Sequence, residues 1–198
     1  MLSTRRVVMF QHIHPNCVTA LRPPLALVAV VSQQREDWIG YLVCIIALLL
    51  VEVTDILDGR IARKYGKVSD EGKLFDPLCD TVARMMVFAV FLESHWMPLW
   101  MFIATYTRDI GVTYLRSILS VKGIAFAARR SGKLKAVAQS VAQCFTVYVH
   151  FLTEGNIGDV RPLVMDITWW LLFSATMFTI MSGFDYAWAG WKAYKKVA

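Results

Sequence analysis

"DILDGRIARKYGKVSDEGKLFDPLCD", residues 55–80, sets four aspartates, Asp55, Asp58, Asp76 and Asp80, between two apolar segments. Tyr41 to Val51, just before it, carry no charge, and the residues after Arg84 are apolar as far as Glu93. Asp55, Asp58 and Ala62 share one face of a helix, because steps of three and seven residues return to nearly the same direction. Gly59 lies only about 40° round from Asp55 at 3.6 residues per turn. This helix is expected to run to Ala62 or Tyr65, with Gly66 and "KVSDEG" forming a polar turn. A second helix is expected from about Phe75, with Pro77 in its first turn, where proline is tolerated. Asp76 and Asp80 then share a face one turn apart, and antiparallel packing brings both pairs to one end.

Outward from this stretch the chain is rich in long apolar runs. Of its 198 residues 57% are hydrophobic and its mean hydropathy is +0.48, outside the usual range for a soluble domain of this size. Runs near spanning length cover residues 18–32, 39–57, 78–93, 97–119, 137–152 and 163–191. A spanning helix needs roughly 20 mostly apolar residues. The expectation is an all-α polytopic membrane protein with six transmembrane helices, forming a single domain over residues 1–198. "HIHPNCVTALRPPLA" precedes the first span as a short interfacial helix or arm, with Pro15 at a helix start. His12, His14 and Pro15 interrupt any early apolar core, so no signal-peptide layout is expected.

The basic residues orient these spans. With both termini on one side, sixteen Lys and Arg fall in inside segments and only Arg35 and Arg161 outside. That asymmetry places both termini in the cytoplasm. The net charge of +6 is accounted for by topology and attraction to anionic head groups, and nothing calls for nucleic acid as a partner. Cys17, Cys44, Cys79 and Cys144 form no C-x-x-C pair and serve as small apolar fillers. The four histidines share no spacing and are ordinary surface or packing residues. Trp169, Trp170, Trp188 and Trp191 can anchor the last helix at both interfaces.

Four carboxylates at one end would repel, and each buried one costs on the order of 2.5–3.5 kcal/mol even on lenient insertion scales. Two divalent cations would balance them. Hard oxygen ligands without His or Cys favour Mg²⁺ or Mn²⁺ over zinc, and paired metals are a recurring device for diphosphate chemistry. Glycine and alanine beside the carboxylates leave room for a nucleotide against the backbone, and Arg63 can add a phosphate contact. Solvated loop charges would account for Asp70 and Glu71. They do not account for four aspartates kept in helical phase within apolar segments.

The stretch resembles the signature of the CDP-alcohol phosphotransferase family, D-x-x-D-G-x-x-A-R-x8-G-x3-D-x3-D. It matches at Asp55, Asp58, Gly59, Ala62, Arg63, Gly72, Asp76 and Asp80 with the spacing kept throughout. The resemblance implies a six-helix membrane enzyme, a homodimer as a rule, in which an alcohol displaces CMP from a CDP-linked lipid. It also implies metal binding by the four aspartates and nucleotide contact at Gly59, Ala62, Arg63 and Gly72. Asp80 is implied as the general base, in keeping with the help a nearby metal gives a carboxylate in activating a hydroxyl.

For the acceptor, "TRDIGVTYLRS", "ARRSGKLKAVAQ" and "PNCVTALR" (Pro15, Asn16, Thr19, Arg22) resemble the bacterial phosphatidylglycerophosphate synthase branch of the family. "SGFDYAW" near the end is a weaker likeness, and Asp109 stands where a longer Glu is expected. The resemblance implies CDP-diacylglycerol as donor and glycerol 3-phosphate as acceptor. A phosphate-bearing acceptor needs cationic clamps, for which Arg116, Lys133, Lys135 and Arg108 are the candidates. Arg108, well inside a span, calls for a partner, an acid on a facing helix being the expectation. Glu52, one turn before Asp55, fits either support of the site or a dimer contact. The alternatives are a sibling enzyme taking inositol phosphate or serine, and a divalent-cation transporter. Against the transporter, the aspartates bunch at one membrane face instead of lining a midplane path.

Overall fold

The computed structural model describes residues 15–35, 37–64, 70–124, 129–154 and 161–195. Within its helices the side chains of residues 15, 16, 56, 58–64, 70–74, 154, 161 and 162 fall outside that description. All regular structure among the described residues is helical. A five-residue turn of helix, α1 (Pro15–Thr19), leads into α2 (Arg22–Gln33), α3 (Trp38–Lys64), α4 (Asp70–Glu93), α5 (Leu99–Val121), α6 (Arg130–Glu154) and α7 (Arg161–Lys195).

Local chemistry explains the boundaries. Pro15 opens α1, and Pro23 follows the first residue of α2, places where a missing N–H costs little. Asp37 starts α3 by accepting a hydrogen bond from the Gly40 N–H at 2.6 Å. The hydrogen bond from Arg35 holds the Asp37 carboxyl below its usual range, with the Gly40 N–H adding to the effect. Ser94 to Pro98 turn the chain between α4 and α5, with His95 at a φ of 59°.

Three sequence expectations change here. The first apolar run is broken by the turn at Ala20 and Leu21, and α2 alone has 12 residues, about 18 Å, short of the ~30 Å hydrocarbon core. α4 begins at Asp70 and not near Phe75, so Asp70, Glu71 and Gly72 are helical and Pro77 sits inside the helix. Proline there removes only the bond to the carbonyl of Lys73, and the polar start of α4 continues the helix past it. α6 begins at Arg130, seven residues before the apolar run expected from residue 137, so Ser131 and Gly132 are helical. The remainder of the expected "KVSDEG" turn, residues 67–69, and Gly66 lie outside the described residues, as do His12 and His14.

The helices form one bundle. α2 packs on α3 and α4, α6 on α3, and α7 on both α5 and α6. Ala26, Ala29, Ala47, Ala83, Ala142 and Ala175 are buried at these crossings, and small residues let helices approach closely. Phe88, Phe91, Met97, Met101 and Leu172 fill the middle. At the end away from the aspartates, Gln33 donates to Ser94 at 2.9 Å and Trp96 stacks on His150 at 3.6 Å.

Two helices are long and apolar enough to cross a membrane, over Trp38–Asp55 and Leu163–Lys195, and only 28% of each stretch is buried within the bundle. An apolar helix that turns most of its surface outward is unlike the core helix of a soluble protein. Leu42, Ile46, Leu49 and Val53 on α3, with Trp170, Met181, Phe184 and Trp188 on α7, make up that outward surface.

Candidate active site

Asp55 stands near the end of α3 and Asp76 near the start of α4, and one side chain from α2 reaches both. The Arg22 guanidinium lies 2.7 Å from an Asp55 oxygen and 2.9 Å from an Asp76 oxygen. Arg22 is itself 1% exposed, while the two carboxylates remain about half exposed. The first residue of α2 is thereby the clasp that holds the ends of α3 and α4 together. The sequence offered Arg22 only as part of a motif likeness. Its role was hidden because no local spacing relates residue 22 to residues 55 and 76.

Asp80, one turn further along α4, is paired with Arg84 at 2.8 Å. Arg84 is buried, and it also donates to the Ala136 carbonyl and the Ser140 hydroxyl of α6, each at 3.1 Å. Gln143 of α6 donates to the Arg84 carbonyl at 2.9 Å. Glu52 lines a small cavity with Asp80, Arg84 and Gln143, beside the carboxylate end of the bundle. The i,i+4 spacing of Asp80 and Arg84 was visible in the sequence, and a mid-span arginine one turn from an aspartate was the signal that went unused.

The second cluster adjoins the first through α6. Lys135, the neighbour of Ala136, is buried and bonds Asp109 of α5 at 2.6 Å. Asp109 also accepts from Arg108 at 3.0 Å, and Arg108 reaches the Ser182 hydroxyl of α7. The acid that balances Arg108 is thus its own chain neighbour and not a residue of a facing helix. A charge inside the bundle takes the nearest carboxylate, and α7 supplies a hydroxyl instead. The shorter Asp109 suffices to bridge two cations because α6 brings Lys135 within its reach.

The candidate residues divide accordingly. Asp55 and Asp76 meet on Arg22 at the facing ends of α3 and α4. Asp80 lies one turn further along α4 on Arg84, which is anchored on α6 next to Lys135, the residue that shares Asp109 with Arg108. Lys133 is exposed, and Arg116 is half-buried two turns beyond Arg108 on α5. Gly59, Ala62 and Arg63 belong to α3 and Gly72 to α4 by their backbones, while the side chains of Asp58, Ala62 and Arg63 fall outside the described residues.

Among the described residues no group of three or more His, Cys, Asp or Glu side chains comes together as a metal-binding set. The donor chemistry nonetheless suits a hard cation: carboxylate oxygens from two helices converge on one positively charged group, the Arg22 guanidinium.

Comparison with known proteins identifies the family. The family model described as CDP-alcohol phosphatidyltransferase matches residues 12–181. A CDP-diacylglycerol–glycerol-3-phosphate 3-phosphatidyltransferase of Bacillus subtilis (strain 168) is 31% identical over 193 residues, covering 91% of this chain and 96% of the relative. One of Treponema pallidum (strain Nichols) is 29% identical over 190 residues, covering 82% and 88%. A probable phosphatidylglycerophosphate synthase of Mycobacterium tuberculosis (strain ATCC 25618 / H37Rv) is 30% identical over 135 residues, covering 68% of this chain and 59% of the relative. Two outward-facing apolar helices and bacterial relatives together point to a membrane protein. Since the family match takes in α1 to α6, most of α7 and every charged cluster described above, the chain is an enzyme of the CDP-alcohol phosphatidyltransferase family.

Proposed function

We propose that the protein transfers the phosphatidyl group of CDP-diacylglycerol to glycerol 3-phosphate, giving phosphatidylglycerol phosphate and CMP. The observation that carries this reading is the joining of two clusters of opposite character through Arg84. One is a carboxylate end suited to metal and diphosphate. The other is the set Arg108, Asp109 and Lys135, two cations against one acid, which leaves one positive charge for an anionic acceptor. The names of the Bacillus and Treponema relatives support the same donor and acceptor.

In this reading Asp55, Asp58, Asp76 and Asp80 hold two divalent cations, Mg²⁺ or Mn²⁺, which when bound neutralise the diphosphate and the charge that develops on it. Gly59, Ala62, Arg63 and Gly72 receive the nucleotide. Asp80 takes the proton from the glycerol hydroxyl. The hydroxyl oxygen bonds to the phosphorus esterified to diacylglycerol, the bond from that phosphorus to the CMP oxygen breaks, and CMP leaves. Arg84 holds Asp80 facing the site through its own anchors on α6. Arg108 and Lys135 bind the acceptor's phosphate, with Lys133 and Arg116 at the approach to it. The chain is taken as one domain of six spans, the first formed by α1 and α2 together, working as a homodimer in the bacterial inner membrane with its site and both termini in the cytoplasm.

Purified protein given CDP-diacylglycerol and a panel of alcohols tests this directly. Release of CMP is expected with glycerol 3-phosphate and not with inositol phosphate or serine. Release with either of the latter alone would assign a sibling reaction to the same donor chemistry.

A further inference from the structure

The segment "SGFDY", Ser182 to Tyr186 on α7, bonds both neighbouring helices at once. Tyr186 is buried, and its hydroxyl accepts the Arg129 backbone N–H at 2.8 Å, at the entry to α6. The same ring stacks under the Arg108 guanidinium at 5.3 Å. Asp185, beside it, accepts from Arg129 Nε at 2.7 Å and from the Ser131 hydroxyl. Ser182 accepts from Arg108.

Two glycines make room for these contacts. A Cβ on Gly132 would stand 2.6 Å from the Tyr186 hydroxyl, and one on Gly183 would stand 2.9 Å from Arg108 Cγ. Neither obstacle is the loose tip of a side chain, so both approaches depend on the missing methyl. The contacts close a ring across three helices. From Tyr186 it passes to Arg108, to Asp109, to Lys135, and back along the first turn of α6 to the Arg129 N–H. Arg108 is held by Asp109 and by this segment, and Lys135 by Asp109.

We propose that Asp185 and Tyr186 are positioning residues that set acceptor affinity, by fixing the entry to α6 and the Arg108 guanidinium relative to one another. They touch no reacting atom. Their action is through Arg108 and, along α6, through Lys135, so it falls on the phosphate-bearing alcohol and spares the CDP-linked lipid. This rests on the proposed acceptor reading.

The test is steady-state kinetics with each substrate varied in turn, on wild type, Tyr186→Phe, Asp185→Asn and Asp185→Glu, with thermal unfolding of each in detergent. Tyr186→Phe keeps the ring and removes one hydrogen bond, and Asp185→Asn removes a charged acceptor. Each should raise the acceptor KM about threefold to tenfold while the CDP-diacylglycerol KM changes less than about twofold. Asp185→Glu should restore most of the acceptor KM. Unchanged acceptor KM in both Tyr186→Phe and Asp185→Asn overturns the proposal, as does an equal rise in both KM values with a fall in unfolding temperature. Should Tyr186→Phe not fold, the Asp185 pair decides by the same criteria. A wild type that uses glycerol 3-phosphate beside unaffected variants defeats the positioning role alone. A wild type that releases no CMP with any phosphate-bearing alcohol defeats the acceptor reading, and the positioning role with it.

Discussion

At the scale of single residues, the aspartates and the arginines differ in how they could be found. Asp55, Asp76 and Asp80 declared themselves by helical phase inside apolar sequence, a local pattern that needs no knowledge of the fold. Arg22 and Arg84 act across helices, and contact between residues far apart in sequence leaves no periodic trace. Arg22→Gln should therefore be severe. The variant leaves Asp55 and Asp76 facing each other without their shared cation, and CMP release should fall at least about tenfold, since positioning errors of an ångström cost that much or more. Its unfolding temperature in chelator should also fall, as read by thermal unfolding in detergent; near-wild-type values of both would remove Arg22 from the site. Asp80→Asn separates base from ligand, because an amide cannot take a proton from the acceptor hydroxyl. Turnover should be almost lost while CDP-diacylglycerol binding, measured by equilibrium titration, is largely kept. Equal loss of binding would make Asp80 chiefly a ligand.

At the scale of elements, hydrophobic periodicity placed the long helices well and their polar ends poorly. α3 was expected to run to Ala62 or Tyr65 and runs to Lys64, because an uninterrupted apolar face carries it into the signature. The start of α4 was misplaced by a turn or more, since Asp70 and Gly72 look like turn residues and Pro77 like a helix start. There the packing of α4 on α2 overrides local preference, and proline is accommodated inside the helix. The buried link between α5 and α6 was half legible: both charges were noted, and their pairing was not. Asp109→Leu should leave Arg108 and Lys135 as uncompensated buried cations, at a cost of about 3–5 kcal/mol. Adding Lys135→Met should recover part of that loss in denaturation measured in detergent, and a double variant worse than the sum of the singles would contradict the link.

At the scale of the whole molecule, charge asymmetry gives an orientation that accessibility can check. In a cysteine-free background, Arg35→Cys in the turn between α2 and α3 should react with a membrane-impermeant maleimide on intact spheroplasts. Gly123→Cys, in the turn after α5, should react only after permeabilisation, and equal labelling of the two would contradict the six-span arrangement. The fold class was legible because apolar runs dominate the composition, whereas the ion pairs that tie α2 to α3 and α4, and α5 to α6, and the hydrogen bonds that tie α4 to α6, emerge only from packing. Those ties bring a carboxylate end and a buried cationic cluster together, and the proposed reaction requires that they be one active site. The most direct measurement is CMP release from CDP-diacylglycerol by the purified wild type, with glycerol 3-phosphate present or absent, in Mg²⁺ or in excess chelator. Release should require both the alcohol and the metal, and restoring Mg²⁺ or Mn²⁺ should restore it. Full activity in excess chelator, or CMP release indifferent to glycerol 3-phosphate, would contradict the account.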